Sequence, residues 1–357
     1  MTSNLLSGEN TGLARKLRSG IRRFAVALLA GISALSAAVL LNGTGATFPN
    51  PLYSKWFREY RNAHPDVQIN YQPLGSGAGI KQVTEGTVDF GAADVPMTDQ
   101  QITEYRAKHG FGILHFPTVA GSAVATDNVS GIKTGLNFTP EALAGIYLGK
   151  ITKWNDPELT KVNPGAKLPD AQIQVVHRAD GSGTSYCWTD YLSKISPEWK
   201  TKVGRGTSVD WPVGIGGKGN DGVAGQVKQM PNSIGYVELI YAIQNGMPYG
   251  NVRNSAGAFV KPDLATTTAA AAGAMNRMPD DFRVSITDPE GRDAYPIATF
   301  TWLLIPQQIK DPAKLRAVKD FLTWALTTGQ GFAASLDYAK LPSSLVAKEQ
   351  AAIAKIQ

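Results

Sequence analysis

The sequence predicts an α/β fold of two domains, with the chain crossing between them more than once. Three observations predict it. A chain of 357 residues suffices for about two domains. Short apolar or alternating runs take turns with helical runs, the pattern of an α/β architecture. No linker rich in charge or in Gly and Ser divides the chain, and no internal repeat is visible.

The N-terminal segment reads first. Residues 1–23 hold Arg15, Lys16, Arg18, Arg22 and Arg23 against one acid, Glu9, and residues 24–41 form an uncharged apolar run of eighteen. With the small residues Ser36 and Ala38, this has the form of a secretory signal over 1–38, cleaved after Ala38. Eighteen apolar residues also just suffice to span a bilayer, so a retained anchor is the alternative. No Cys ends the segment, which excludes a lipoprotein leader, and the flanks of Arg22-Arg23 fit a twin-arginine signal poorly.

Further elements follow in order. Residues 67–71 alternate with period two, as a half-buried strand does. The glycine-rich stretch 75–79 precedes a helical run over 80–85, and 88–92 reads as a strand. Thr98 with Gln101 makes a capping box for a helix through Ala107. Thr139 and Pro140 cap and open a helix over 142–148. Residues 173–177 are a strand and 185–194 a helix. A strongly apolar strand over 296–305 leads to a helix opened by Asp311-Pro312. It carries Leu315, Val318, Leu322 and Ala325 on one face and ends by Gly329.

Composition narrows the function classes. Hydrophobic residues at 43% and charged residues at 18% leave ample material for a core and exclude a disordered chain. Lys and Arg number 35 against 29 Asp and Glu, and this +6 balance invites a polyanionic partner. Five of those bases and one of the acids lie in residues 1–38, however, leaving 30 against 28. Nucleic-acid binding thereby loses its main support. The single cysteine, Cys187, excludes an intramolecular disulfide and a cysteine zinc site, and reads as a small buried residue. The four histidines show no metal-ligand spacing, so no metal is expected. Neither a P-loop nor a GxSxG elbow occurs, so Ser182 has little support as a nucleophile and no catalytic residue is assigned. Residues 214–219 match GxGxxG, with Glu238 near the place of a ribose-binding acid. The helix after it, 221–229, is too short to favour a dinucleotide, and no cofactor is expected.

Three loops share another character. Gly45-Ala46-Thr47-Phe48, the stretch 75–79 and residues 180–185 place glycines and hydroxyls where a strand hands over to a helix. Converging N–H groups, hydroxyl donors and a helix N-terminus make a concave site for an oxyanion, and Arg178 adds a planar cation. Ordinary turn and cap chemistry uses the same residues. Spacing alone leaves the two readings even. Asp94 sits at a strand end, where ligands of α/β sheets gather, or serves as a turn former before Pro96.

Longer motifs go further. The chain carries GATFPNPLYSKW at 45–56, LGSGAGIKQV at 74–83, VDFGAADVPMTD at 88–99 and IYLGKITKWND at 146–156. HRADGSGTSY at 177–186, WPVGIGGKGNDGV at 211–223, SIGYVE at 233–238 and LDYAKLP at 336–342 complete the series. From about Gly43 to Pro342 the chain resembles the periplasmic phosphate-binding proteins of bacterial phosphate ABC transporters.

That resemblance implies a type II periplasmic-binding-protein fold, two lobes joined by crossing hinge strands with the ligand in the cleft. Lobe I would be 39–128 with 303–357, and lobe II 129–302. It implies phosphate ligands at Thr47, Phe48 through its N–H, Ser76, Asp94, Arg178, Ser182, Gly183 and Thr184, with Asp180 pairing the arginine. It further implies a periplasmic monomer, not an enzyme, that delivers inorganic phosphate to membrane permease subunits and their ATPase. Two departures are Gly77-Ala78-Gly79, where relatives often have Ser-Gly-Gly, and His177 in place of a frequent arginine. The alternatives are a receptor for arsenate, sulfate or molybdate, and a secreted phosphatase.

Overall fold

The apolar run that begins at Phe24 ends inside a strand. In the computed structural model, which describes residues 38–357, β1 (Val39–Gly45) takes its last three residues. Leu41 is buried, and Val39, Leu40 and Leu41 pair in parallel with Val67, Gln68 and Ile69. The rest of the expected leader lies outside the described residues.

After β1 come α1 (Asn50–Ala63), β2 (Val67–Gln72), α2 (Ser76–Glu85) and β3 (Phe90–Ala93). α2 starts four residues earlier than expected, so that Ser76 falls in its first turn. Gly75 caps it at φ +100°, a conformation open to glycine, and a Cβ there would lie 2.8 Å from the Gly181 carbonyl. α3 (Asp99–His109) has the expected capping box, with Gln101 N–H donating to Thr98 Oγ1 at 3.2 Å and Thr98 N–H to Gln101 Oε1 at 2.9 Å.

Next are β4 (Ile113–Asn128), β5 (Asn137–Phe138), α4 (Pro140–Tyr147) and α5 (Pro157–Thr160). β6 (Gln174–Arg178), α6 (Gly183–Ile195), α7 (Pro197–Lys202), β7 (Ile215–Gly217), α8 (Gly219–Gln229) and β8 (Ser233–Glu238) follow. Then come α9 (Leu239–Gln244), β9 (Asn251–Arg253), β10 (Phe259–Val260) and α10 (Leu264–Gly273). β11 (Ala298–Pro306), α11 (Pro312–Leu326) and α12 (Ser343–Ile353) end the chain. α11 buries Val318, Leu322 and Ala325 as its spacing requires, and Asp311 Oδ1 accepts from Ala313 N–H at 2.8 Å.

The main sheet has eight strands in the order β2-β1-β3-β11-β4-β8-β6-β7, and β10-β9-β5 form a smaller sheet. Its two ends, β2-β1-β3 and β8-β6-β7, are parallel and joined through helices. Between them, β11 and β4 run antiparallel to their neighbours. β4 pairs with β11 from Ile113 to Ser122 and with β8 from Ala123 to Asn128. The register slips beside Thr118, next to Pro117, as expected where a proline removes a ladder donor. Almost every residue of β4 and β11 is buried, so the core is continuous through the middle of the sheet.

Candidate functional site

The C-terminal ends of β1, β3 and β6 converge, and the three hydroxyl loops meet there. Gly75 N–H donates to Gly45 O at 2.8 Å, and Gly77 N–H to Gly181 O at 2.7 Å, tying each loop to the next. Three tyrosines hold the first loop from behind: Tyr71, Tyr241 and Tyr338 donate to the carbonyls of Ala46, Thr47 and Phe48 at 2.7, 2.6 and 2.6 Å. Thr47 and Phe48 are thus fixed just before α1. The first N–H groups of a helix have no partner within it, so the starts of α1, α2 and α6 bring polar hydrogens and partial positive charge to one place.

On α6, Ser182 is the cap, and its Oγ accepts from Ser185 N–H at 3.0 Å. Gly183 and Thr184 are the first helical residues. A Cβ on Gly183 would lie 2.7 Å from Asp94 Oδ2, so only glycine lets this helix end approach the carboxyl.

Asp94 follows β3 and is 1% exposed. Thr301 Oγ1 donates to its Oδ1 at 2.7 Å and Ser76 Oγ to its Oδ2 at 3.3 Å, while its own N–H donates back to Ser76 at 3.1 Å. Burial pushes this carboxyl up to about 7, against the lowering effects of Thr301, Arg178 and Ser76. Near neutral pH Asp94 is therefore poised to hold or release a proton.

Arg178 ends β6 and is almost wholly buried. Its Nε and Nη2 form a fork on Asp180 Oδ1 and Oδ2 at 2.8 and 2.5 Å, and Nη1 reaches Thr184 Oγ1 at 3.2 Å. Gly219 N–H, at the start of α8, adds a bond of 3.0 Å to Asp180 Oδ1. Burial alone would raise Asp180, but Arg178 and this N–H outweigh it and hold the carboxyl below its ordinary value. Every residue expected at the site therefore lies in one connected cluster.

Sequence reasoning missed three contributors. Thr301 sits in a strand that reads as apolar, where a hydroxyl with no obvious partner was the available signal. Asn220, wholly buried, connects Thr47 and Thr184. Glu238 is buried behind the site and caps α9 through Ile240 N–H at 2.9 Å. The GxGxxG stretch has a local use, since its last glycine carries the N–H that Asp180 accepts. His115 is buried with Nε2 accepting from Met97 N–H at 3.1 Å, and His177 stacks on Trp211. Cys187 is buried, and no His, Cys, Asp and Glu cluster able to hold a metal occurs among the described residues.

Comparison with known proteins identifies the family. Residues 33–328 match the model of the PBP superfamily domain. The phosphate-binding protein PstS of Xylella fastidiosa is 46% identical over 315 residues, covering 88% of this chain and 85% of that protein. The PstS of Pasteurella multocida is 43% identical over 332 residues, covering 92% and 94%. A phosphate-binding protein structure from Stenotrophomonas maltophilia superposes with a TM-score of 0.67 over 88% of this chain and 94% of that one. At 20% identity it speaks for the fold. The chain belongs to the PBP superfamily and, within it, to the family of the PstS phosphate-binding proteins.

Proposed function

We propose that the chain binds one inorganic phosphate with high affinity in the periplasm and delivers it, as a monomer, to the permease and ATPase of an ABC importer. The observation that carries this reading is a buried carboxyl, Asp94, set among groups that otherwise favour an anion. Hydroxyls and N–H groups of Thr47, Phe48, Ser76, Ser182, Gly183 and Thr184, with the Arg178 guanidinium, satisfy acceptor oxygens. Asp180 holds the guanidinium in register. Asp94 accepts only a ligand that shares a proton with it. Phosphate near neutral pH carries that proton, and the Asp94 carboxylate, which can only accept, receives it. Sulfate carries none, and a site built around such a bond rejects an analogue lacking it by about 10⁴–10⁵-fold.

Other features agree with a carrier. The Ser182 hydroxyl is engaged as a helix cap rather than paired with a base. We divide the chain into lobe I, 39–128 with 303–357, and lobe II, 129–302. The change of partner along β4 supports a crossing there, and on this division the Gly77–Gly181 hydrogen bond would join a loop of each lobe. Because β1 takes Val39, Leu40 and Leu41, the apolar run before it shrinks to fifteen residues, 24–38. That is short of the roughly 17–25 needed to cross a bilayer, which favours a leader cleaved after Ala38 over an anchor.

Titration calorimetry with phosphate, arsenate, sulfate and molybdate tests the proposal. It predicts tight one-to-one binding of phosphate, with sulfate weaker by roughly 10³-fold or more. Absence of phosphate binding, or equal affinity for sulfate, refutes it.

A further inference from the structure

We propose that Asn220 is a positioning residue which turns the hydroxyls of Thr47 and Thr184 into obligate donors for the bound anion. The inference rests on the phosphate reading above and adds a residue that acts through its neighbours.

Asn220 is the second residue of α8 and is fully buried. Its Oδ1 accepts from Glu238 N–H at 2.9 Å. Only the carbonyl end of an amide can accept, so this contact decides which way the side chain faces. The Nδ2 end then points to the two hydroxyls, at 2.9 Å from Thr47 Oγ1 and 3.4 Å from Thr184 Oγ1. Asn220 N–H places a second bond, 3.3 Å, on Thr47 Oγ1.

A hydroxyl has two lone pairs and one proton. On Thr47, Asn220 fills both lone pairs. On Thr184 they are filled by Asn220 and by Arg178 Nη1 at 3.2 Å. Each hydroxyl keeps only its proton to give. Phosphate oxygens are acceptors, so hydroxyls fixed as donors meet them without reorientation, and binding loses less to ordering. One amide, itself locked by the backbone at Glu238, thus sets the polarity of two threonines on separate loops.

A double-mutant cycle on the full chain, read by phosphate calorimetry, tests this. Asn220→Ala is expected to weaken binding by roughly 10–100-fold. With Thr47→Val and Thr184→Val already in place, the same change is expected to alter affinity by less than about twofold, because no hydroxyl is left to orient. Equal losses in the two backgrounds would show a scaffolding role and overturn the inference. Asn220→Asp keeps the size and the Glu238 contact but brings an acceptor where a donor was needed. It is expected to bind worse than Asn220→Ala, and near-normal binding by this variant would also overturn the inference. Failure of the unaltered chain to bind phosphate would overturn the phosphate reading itself, whereas equal losses would overturn only the role of Asn220.

Discussion

Two carboxyls in the same site, one buried and one partly exposed, are tuned in opposite directions. Asp94 lies among hydroxyls and the end of β3, and burial raises it to about 7. Asp180 sits on the fork of Arg178 and the N–H of Gly219, and these hold it below its ordinary value. Both are acids in the same fold, so partners decide the outcome. Asp180 is a permanent anion that pairs the site's cation. Asp94 is a buried group whose burial makes it proton-responsive. An anion site built with near-balanced charge relies on local dipoles and hydrogen bonds, consistent with the near-equal 30 bases and 28 acids beyond residue 38.

The largest expected effect breaks the Asp180 side. Arg178→Ala leaves the mostly buried Asp180 carboxyl without its cation, and truncating one partner of a buried pair costs up to about 3–5 kcal/mol. Phosphate affinity should fall by roughly 10³-fold, with a lower melting temperature. Calorimetry and thermal unfolding check both, and retained affinity would move the cation's role elsewhere.

The next effect concerns pH and has opposite signs on the two sides. Asp94 binds its proton more tightly folded than unfolded, so its contribution to the stability of ligand-free protein is full below pH 3.8. That contribution is lost as pH rises to about 7. Asp180 does the reverse, contributing above its ordinary value of 3.8 and losing that contribution as pH falls through its lowered one. Denaturant titrations across pH should therefore show a shallower decline between about pH 4 and 7 in Asp94→Asn than in the parent. An unchanged slope would mean that Asp94 does not titrate in this window.

Asp180→Asn should have the smallest effect on binding. It removes orientation from Arg178 but also frees the guanidinium charge for the ligand. These terms oppose, so phosphate affinity should change by less than about tenfold. A larger loss would make Asp180 a dominant organiser rather than a moderator.

Legibility followed how local each signal was. The Thr139 cap, the Thr98–Gln101 box and the Asp311 cap are written within a few residues and could be read directly. So could the converging glycine and hydroxyl loops, although only the longer motif series raised them above ordinary turns. β4 could not be read, because it is buried along nearly its whole length and lacks alternation, and Pro117 argues against a strand. Its two partners, β8 and β11, lie far along the chain. Thr301 and Asn220 were missed for a related reason. Their roles come from contacts across 207 and 173 residues, to Asp94 and Thr47, which no local pattern encodes.

The most direct test of the Asp94 account is anion selectivity in Asp94→Asn, measured by calorimetry with phosphate and sulfate beside the unaltered protein. The account predicts that the preference for phosphate over sulfate collapses by several orders of magnitude, because an amide no longer demands a shared proton and no longer repels a fully deprotonated anion. Selectivity that survives the substitution unchanged would contradict it.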